Sequence, residues 1–82
     1  MPQSDAAEGK LTKITVIPPY IQLFLEGHGD ERFEIFCEVT PYYKELYALA
    51  LTALSFDKRV HVIFTQTNAG KKIEYMHMYA ES

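Results

Sequence analysis

Three observations predict a small α+β domain in which β structure predominates. Apolar and polar residues alternate with period two in several short runs, most clearly Tyr20 to Glu26 and Phe33 to Val39, as half-buried strands require. One segment, Thr40 to Phe56, has helical character. Gly, Pro and Asn fall where these runs stop, the places at which a strand must turn. Length bounds the rest: 82 residues make a single small domain. A domain of that size buries only roughly 60–65% of the surface its unfolded chain exposes, so association with other chains would widen a thin stability margin.

Residues 1–10, rich in Ala, Gly, Ser and Asp, show no periodicity and read as a flexible N-terminal tail, which leaves residues 11–82 as the folded domain. A β-branched run from Leu11 to Ile17 is the first strand. Pro18-Pro19 ends it at an edge, a bend or a crossing between sheets, because proline cannot donate to a ladder. In the second strand Ile21, Leu23 and Leu25 face one way and Tyr20, Gln22, Phe24 and Glu26 the other. The glycines of Gly27-His28-Gly29-Asp30 supply the positive φ values of a tight connection. In the third strand Phe33, Ile35, Cys37 and Val39 alternate with Arg32, Glu34, Phe36 and Glu38, so strands two and three form a hairpin with one face inward.

Thr40 is placed to N-cap a helix at about 41–56, with Pro41 where its missing N–H does no harm. Strand four runs from Lys58 to Gln66 and strand five from Lys72 to Ala80, joined by a three-residue loop, Asn68-Ala69-Gly70. The resulting order, β-β-β-α-β-β, is that of the OB-fold, a five-stranded Greek-key barrel with a helix at one end; the alternative is an open antiparallel sheet with the helix laid across it. Closure also removes the exposed edges that trouble a short β protein.

Eleven acidic against eight basic residues give a formal net charge of −3, which leaves the phosphate neutralisation that dominates nucleic-acid affinity without a source. A lone cysteine, Cys37, excludes an internal disulfide and a thiolate zinc cluster, and its apolar neighbours give it the setting of an inert buried thiol. The longest apolar runs fall short of the roughly 20 residues that span a bilayer. The polar start, Met1 to Lys10, lacks a signal-peptide core. The expected location is therefore cytoplasmic if Met1 is the native start, and extracellular if a signal peptide has been removed.

No phosphate-cradling or dinucleotide-binding glycine motif occurs. His28 with Asp30 and Glu31 has no nucleophile nearby in sequence and reads as a surface turn. These readings predict a non-enzymatic protein with no cofactor. If the last hairpin closes on Asn68 to Gly70, positions that sum to 138 face one another: Arg59 with Tyr79, His61 with His77, Ile63 with Tyr75. The two histidines invite a metal ion, but spacing places no third or fourth ligand beside them, and they read as a surface imidazole pair. Arg59, His61, Tyr75, His77 and Tyr79 form an aromatic and polar face suited to stacking on a sugar or a base, and are the candidate ligand-binding residues. The opposite face, Val60, Val62, Phe64, Met76 and Met78, is core.

The helix is apolar on nearly every side, which requires cover on every side. That points to assembly with copies of the same chain, with Tyr42, Tyr43, Leu46, Tyr47, Leu49 and Ala50 as the candidate interface. The second hairpin is acidic and the last hairpin basic, a pattern that a head-to-tail ring would use. The stretch Tyr42-Tyr43-Lys44-Glu45-Leu46-Tyr47-Ala48-Leu49-Ala50-Leu51, then Lys58-Arg59-Val60-His61-Val62 and the strand Tyr75 to Tyr79, resembles the helix and closing strands of the binding subunits of AB-type bacterial toxins of the pertussis and cholera kind. The resemblance covers about half the chain and implies a ring of five OB-fold subunits whose helices line a central pore and which binds cell-surface glycans. The single Cys37 departs from that family's usual disulfide. The expected function is a ring-forming homo-oligomer, a pentamer, that presents a surface to a glycan or protein partner. Two alternatives differ in class: a nucleic-acid-binding OB domain, whose affinity would fall steeply with salt, and a small-molecule enzyme with its site between subunits, which activity screening would reveal.

Overall fold

A computed structural model describes residues 4–68 and 70–80. Five strands, β1 (Ser4–Ile17), β2 (Tyr20–Leu25), β3 (Phe33–Phe36), β4 (Arg59–Thr67) and β5 (Gly70–Met78), and one helix, α1 (Tyr43–Ser55), follow the expected order. The strands close into a barrel in the sequence β1-β2-β3-β5-β4. All neighbours are antiparallel except β3 and β5, which run parallel for the short stretch Phe33↔Lys71 and Glu34↔Lys72.

Closure depends on β1, which serves two partners in turn. Leu11 to Ile17 pair with β2, whereas Ser4 to Lys10 pair with β4 in the unbroken register Ser4↔Thr65 to Lys10↔Arg59. Residues 4–10 are therefore strand rather than the flexible tail that composition suggests, and residues 1–3 lie outside the described part. An unpaired β4 edge supplies the backbone partners that Asp5-Ala6-Ala7-Glu8 would not find alone. The switch of partners falls between Lys10 and Leu11, just after Gly9, whose φ is +155° and where any Cβ would lie 2.8 Å from the carbonyl oxygen of Glu26. Glu26 is itself held against β1, its N–H donating to the Lys10 carbonyl at 2.8 Å. Pro18-Pro19 forms a tight β1–β2 hairpin turn, with Ile17 facing Tyr20.

The alternation in β2 and β3 sets the core. Ile21, Leu23, Leu25, Phe33 and Ile35 are buried and meet Val60, Val62, Phe64, Ile73 and Met76 from β4 and β5, with the Phe33 and Phe64 rings edge to face at 5.2 Å. Met78 packs partly against this cluster. β3 stops at Phe36, earlier than expected: the Val39 and Thr40 N–H groups both turn back to the Phe36 carbonyl, and Val39 is exposed rather than inward. Cys37 is half-buried against the core, its N–H bonded to the Pro19 carbonyl.

Thr40 does not cap the helix. The N-cap is Tyr42, without a side-chain cap bond, and Thr40 points inward with its hydroxyl buried and unpartnered. Tyr42 instead donates its phenol to the Glu74 carbonyl of β5 and so anchors the helix start to the barrel. At the other end Asp57 takes the left-handed conformation, φ 56°, and the Lys58 N–H reaches back to the Ala53 carbonyl at 2.9 Å. This is the hydrogen bond of a Schellman stop, built on Asp where Gly is usual. The Asp57 carboxylate receives the Lys10 ammonium at 3.0 Å, tying the helix exit to β1.

One stripe of α1, Leu46, Ala50 and Ala53, is buried in the barrel's own core. Tyr43, Tyr47 and Leu49 are partly buried against it. This corrects the interface assignment for Leu46 and Ala50: each is already covered within one chain and offers nothing to another. The apolar groups left in solvent are Tyr42, Leu51, Leu54 and, at the C-cap, Phe56, which is 68% exposed. The spacing of 46, 50 and 53 is one ordinary amphipathic stripe, and the surrounding leucines and tyrosines made the segment read as apolar all round.

Candidate functional site

The predicted ligand-binding residues come together on the outer face of β1, β4 and β5. His61 faces His77 and Ile63 faces Tyr75 across the last hairpin, and the Tyr79 N–H donates to the Arg59 carbonyl at 2.9 Å. The hairpin reaches this register by another route than the expected three-residue loop. Thr67 pairs with Gly70, a closer turn, and the extra residue Glu74 bulges between Ile73↔Phe64 and Tyr75↔Ile63, which restores the pairing beyond it.

A third strand completes the face. Ala6, Glu8 and Lys10 of β1 stand opposite Ile63, His61 and Arg59, so one transverse row reads Glu8, His61, His77. Glu8, which sequence reasoning left in the tail, is the hub. Its Oε1 takes a hydrogen bond from Arg59 Nη2 at 2.8 Å, and its Oε2 takes one from the Tyr79 hydroxyl at 2.6 Å and lies 3.2 Å from His61 Nδ1. Tyr79 Oη also lies 3.3 Å from that Nδ1, and the Arg59 guanidinium sits over the Tyr79 ring at 5.4 Å. Only the alternation of Ala7 inward with Glu8 outward hinted at this arrangement, and it is too short to read as a strand.

The electrostatics follow from these contacts. The Tyr79 and His61 hydrogen bonds, reinforced by the positive charge of Arg59, hold the Glu8 carboxyl below its ordinary range. The same bond to Glu8 pushes the Tyr79 phenol up. Glu8 is thus an ionised acceptor at neutral pH. Outside this knot the face is open: Tyr75 is 49% exposed and meets His77 edge to face at 5.4 Å, and the His61 and His77 rings are 5.9 Å apart. The arrangement offers two aromatic surfaces, imidazole nitrogens and a fixed carboxylate–guanidinium pair, all suited to binding.

His28 is held structurally, its Nε2 3.2 Å from the Glu8 carbonyl and its ring edge-on to Phe33 at 5.7 Å. An open cleft of about 420 Å³ lies beside it, lined by Asp5, Glu31, Gln66 and Lys71 among others. Part of the charge difference between the hairpins is met within one chain, since β3 adjoins β5 and Lys71 Nζ lies 3.7 Å from Glu31. Among the described residues no helix is long and apolar enough to cross a membrane. No protein-family model, curated protein or solved structure matches the chain.

Proposed function

We propose that the chain is a non-enzymatic binding module that offers the outer face of β1, β4 and β5 to a glycan or protein partner, and that it works as a homo-oligomeric ring, a pentamer on the toxin-subunit resemblance. One observation carries the binding reading: Tyr75 and His77 stand exposed on β5 with Tyr79 exposed just past its end, and on the same face Glu8 holds Arg59, His61 and Tyr79 together. Aromatic faces held rigid lose little entropy on contact, and apolar ring surface beside fixed polar groups suits both sugars and protein hot spots. The assembly reading now rests on the outer stripe of α1 and its C-cap, Leu51, Leu54 and Phe56, in place of Leu46 and Ala50.

A glycan array probed with the purified chain and with Tyr75→Ala tests the binding reading. The parent is expected to capture a restricted set of glycans and the variant to lose roughly 5–30-fold in affinity, the effect of removing an aromatic anchor worth ~1–2 kcal/mol. Equal capture by both proteins would remove the face from consideration.

A further inference from the structure

We propose that His61 and His77 form an open binding site for a late first-row divalent metal ion, of the zinc, nickel and copper class, with Glu8 as the carboxylate that orients His61. The site does not rest on the glycan reading, because it uses imidazole nitrogens rather than ring faces.

The two histidines face each other by backbone register, one on β4 and one on β5, with ring centroids 5.9 Å apart and planes inclined by 46°. Two imidazoles bound tetrahedrally to one ion, each at roughly 2.0–2.1 Å through nitrogen, place their centroids roughly 5 Å apart. Small side-chain rotations close the difference. Both rings are open to solvent on this face, His61 with 29% of its side chain exposed.

Glu8 makes the pair more than two neighbouring histidines. Its Oε2 lies 3.2 Å from His61 Nδ1 and also takes the Tyr79 hydroxyl, while Oε1 takes Arg59, so Nδ1 is the His61 nitrogen engaged with the protein. Nε2 is then the ring nitrogen left for a ligand. A carboxylate behind a ligating histidine is the usual second-layer arrangement of metal sites, where it fixes tautomer and ring orientation. The neighbouring cations are engaged elsewhere, Arg59 with Glu8 and Lys10 with Asp57. Among the described residues no third His, Cys, Asp or Glu completes a protein-only cage. The remaining coordination positions therefore fall to water or to donors of a bound partner, and nitrogen ligands select late transition metals over calcium or magnesium.

Zinc chloride titrated calorimetrically into the full chain at pH 7.5 tests the site. One-to-one binding is expected, abolished in His77→Ala, weakened about 10–100-fold in Glu8→Gln, and unchanged in His28→Ala, whose ring is occupied with the Glu8 carbonyl and Phe33. Nickel added to the unmodified chain gives a readout that needs no variant: the His61 and His77 imidazole signals should broaden before those of His28. Absence of binding at millimolar zinc, binding that survives in folded His77→Ala, or broadening that starts at His28 would overturn the site. Undiminished affinity in Glu8→Gln would remove Glu8 from it.

Discussion

Replacing Gly9 with alanine tests the feature on which the barrel depends, the passage of β1 from β2 to β4. Two costs combine. A φ of +155° is a conformation that L side chains rarely adopt, which costs roughly 1–3 kcal/mol. The new Cβ would also lie 2.8 Å from the Glu26 carbonyl oxygen, a backbone atom that cannot swing aside, which adds roughly 1–3 kcal/mol of overpacking. Against this, alanine restricts the unfolded chain and returns about 0.4–1 kcal/mol. The net loss is about 1–6 kcal/mol, a large part of the ~4–12 kcal/mol that a chain of this length possesses. Gly27→Ala is the internal control: its φ is also positive, +86°, but nothing lies within 4 Å of the added Cβ. That variant carries the conformational cost alone, about 0–2.6 kcal/mol net. Urea unfolding followed by far-UV circular dichroism should show Gly9→Ala with the lower midpoint at unchanged slope. In thermal melts the gap should be roughly 4–8 °C for each kcal/mol between them. Equal midpoints for the two variants would refute the close packing of Gly9 on Glu26, and with it the bent course of β1.

Four further perturbations probe the Glu8 knot, the helix start and the outer side of α1. Because the folded Glu8 carboxyl titrates below its ordinary value of 4.5, its contribution to stability is present above that pH and is lost as pH falls through the folded value; Glu8→Gln should flatten this acid limb, and superimposable acid titrations would contradict it. The Tyr79 phenol is raised above 10.0, so its contribution holds below that pH and disappears as pH rises through the folded value, an alkaline limb that Tyr79→Phe should remove. Thr40→Val replaces a buried hydroxyl that has no partner, and should raise stability by about 1 kcal/mol, read as a higher urea midpoint; a lower one would mean that the hydroxyl is bonded. Leu51→Glu places a charge on the exposed side of α1 without touching the core, and should lower the native mass to that of one chain; an unchanged oligomer would place the assembly surface elsewhere.

Much of the architecture was legible because it is written in short-range pattern. The alternation of Ile21, Leu23 and Leu25 and of Phe33 and Ile35 marks the two inner faces, and all five are buried. The pairing of His61 with His77 also followed from the sequence, although by compensation: the turn is shorter than expected and the Glu74 bulge makes up the difference. A bulge is invisible to spacing arithmetic, because it is chosen by how a strand must coil to close a barrel. The helix start shows a different limit. Thr40 and Pro41 have the right local chemistry, yet burial of Thr40 and the bond from Tyr42 to the Glu74 carbonyl decide the geometry through contacts far off in sequence.

The least legible segment matters most for the site. Asp5-Ala6-Ala7-Glu8-Gly9 contains no β-branched or aromatic residue, so its strand state comes from the edge of β4 rather than from its own propensity. Its register is nonetheless tightly held, since Ala7 fills an inward position while Glu8 reaches residues 51, 53 and 71 positions away. Gly9 follows at once, and after Lys10 the strand passes to β2. Barrel closure and assembly of the Glu8 knot are therefore one event. Opening β1 from β4 would leave Arg59 without its carboxylate, Tyr79 without its acceptor and His61 without the group that engages its Nδ1. A change that loosens closure should then act on the outer face before it acts on the core, because Leu23, Phe33 and Ile73 are held by strands that need no help from residues 4–10.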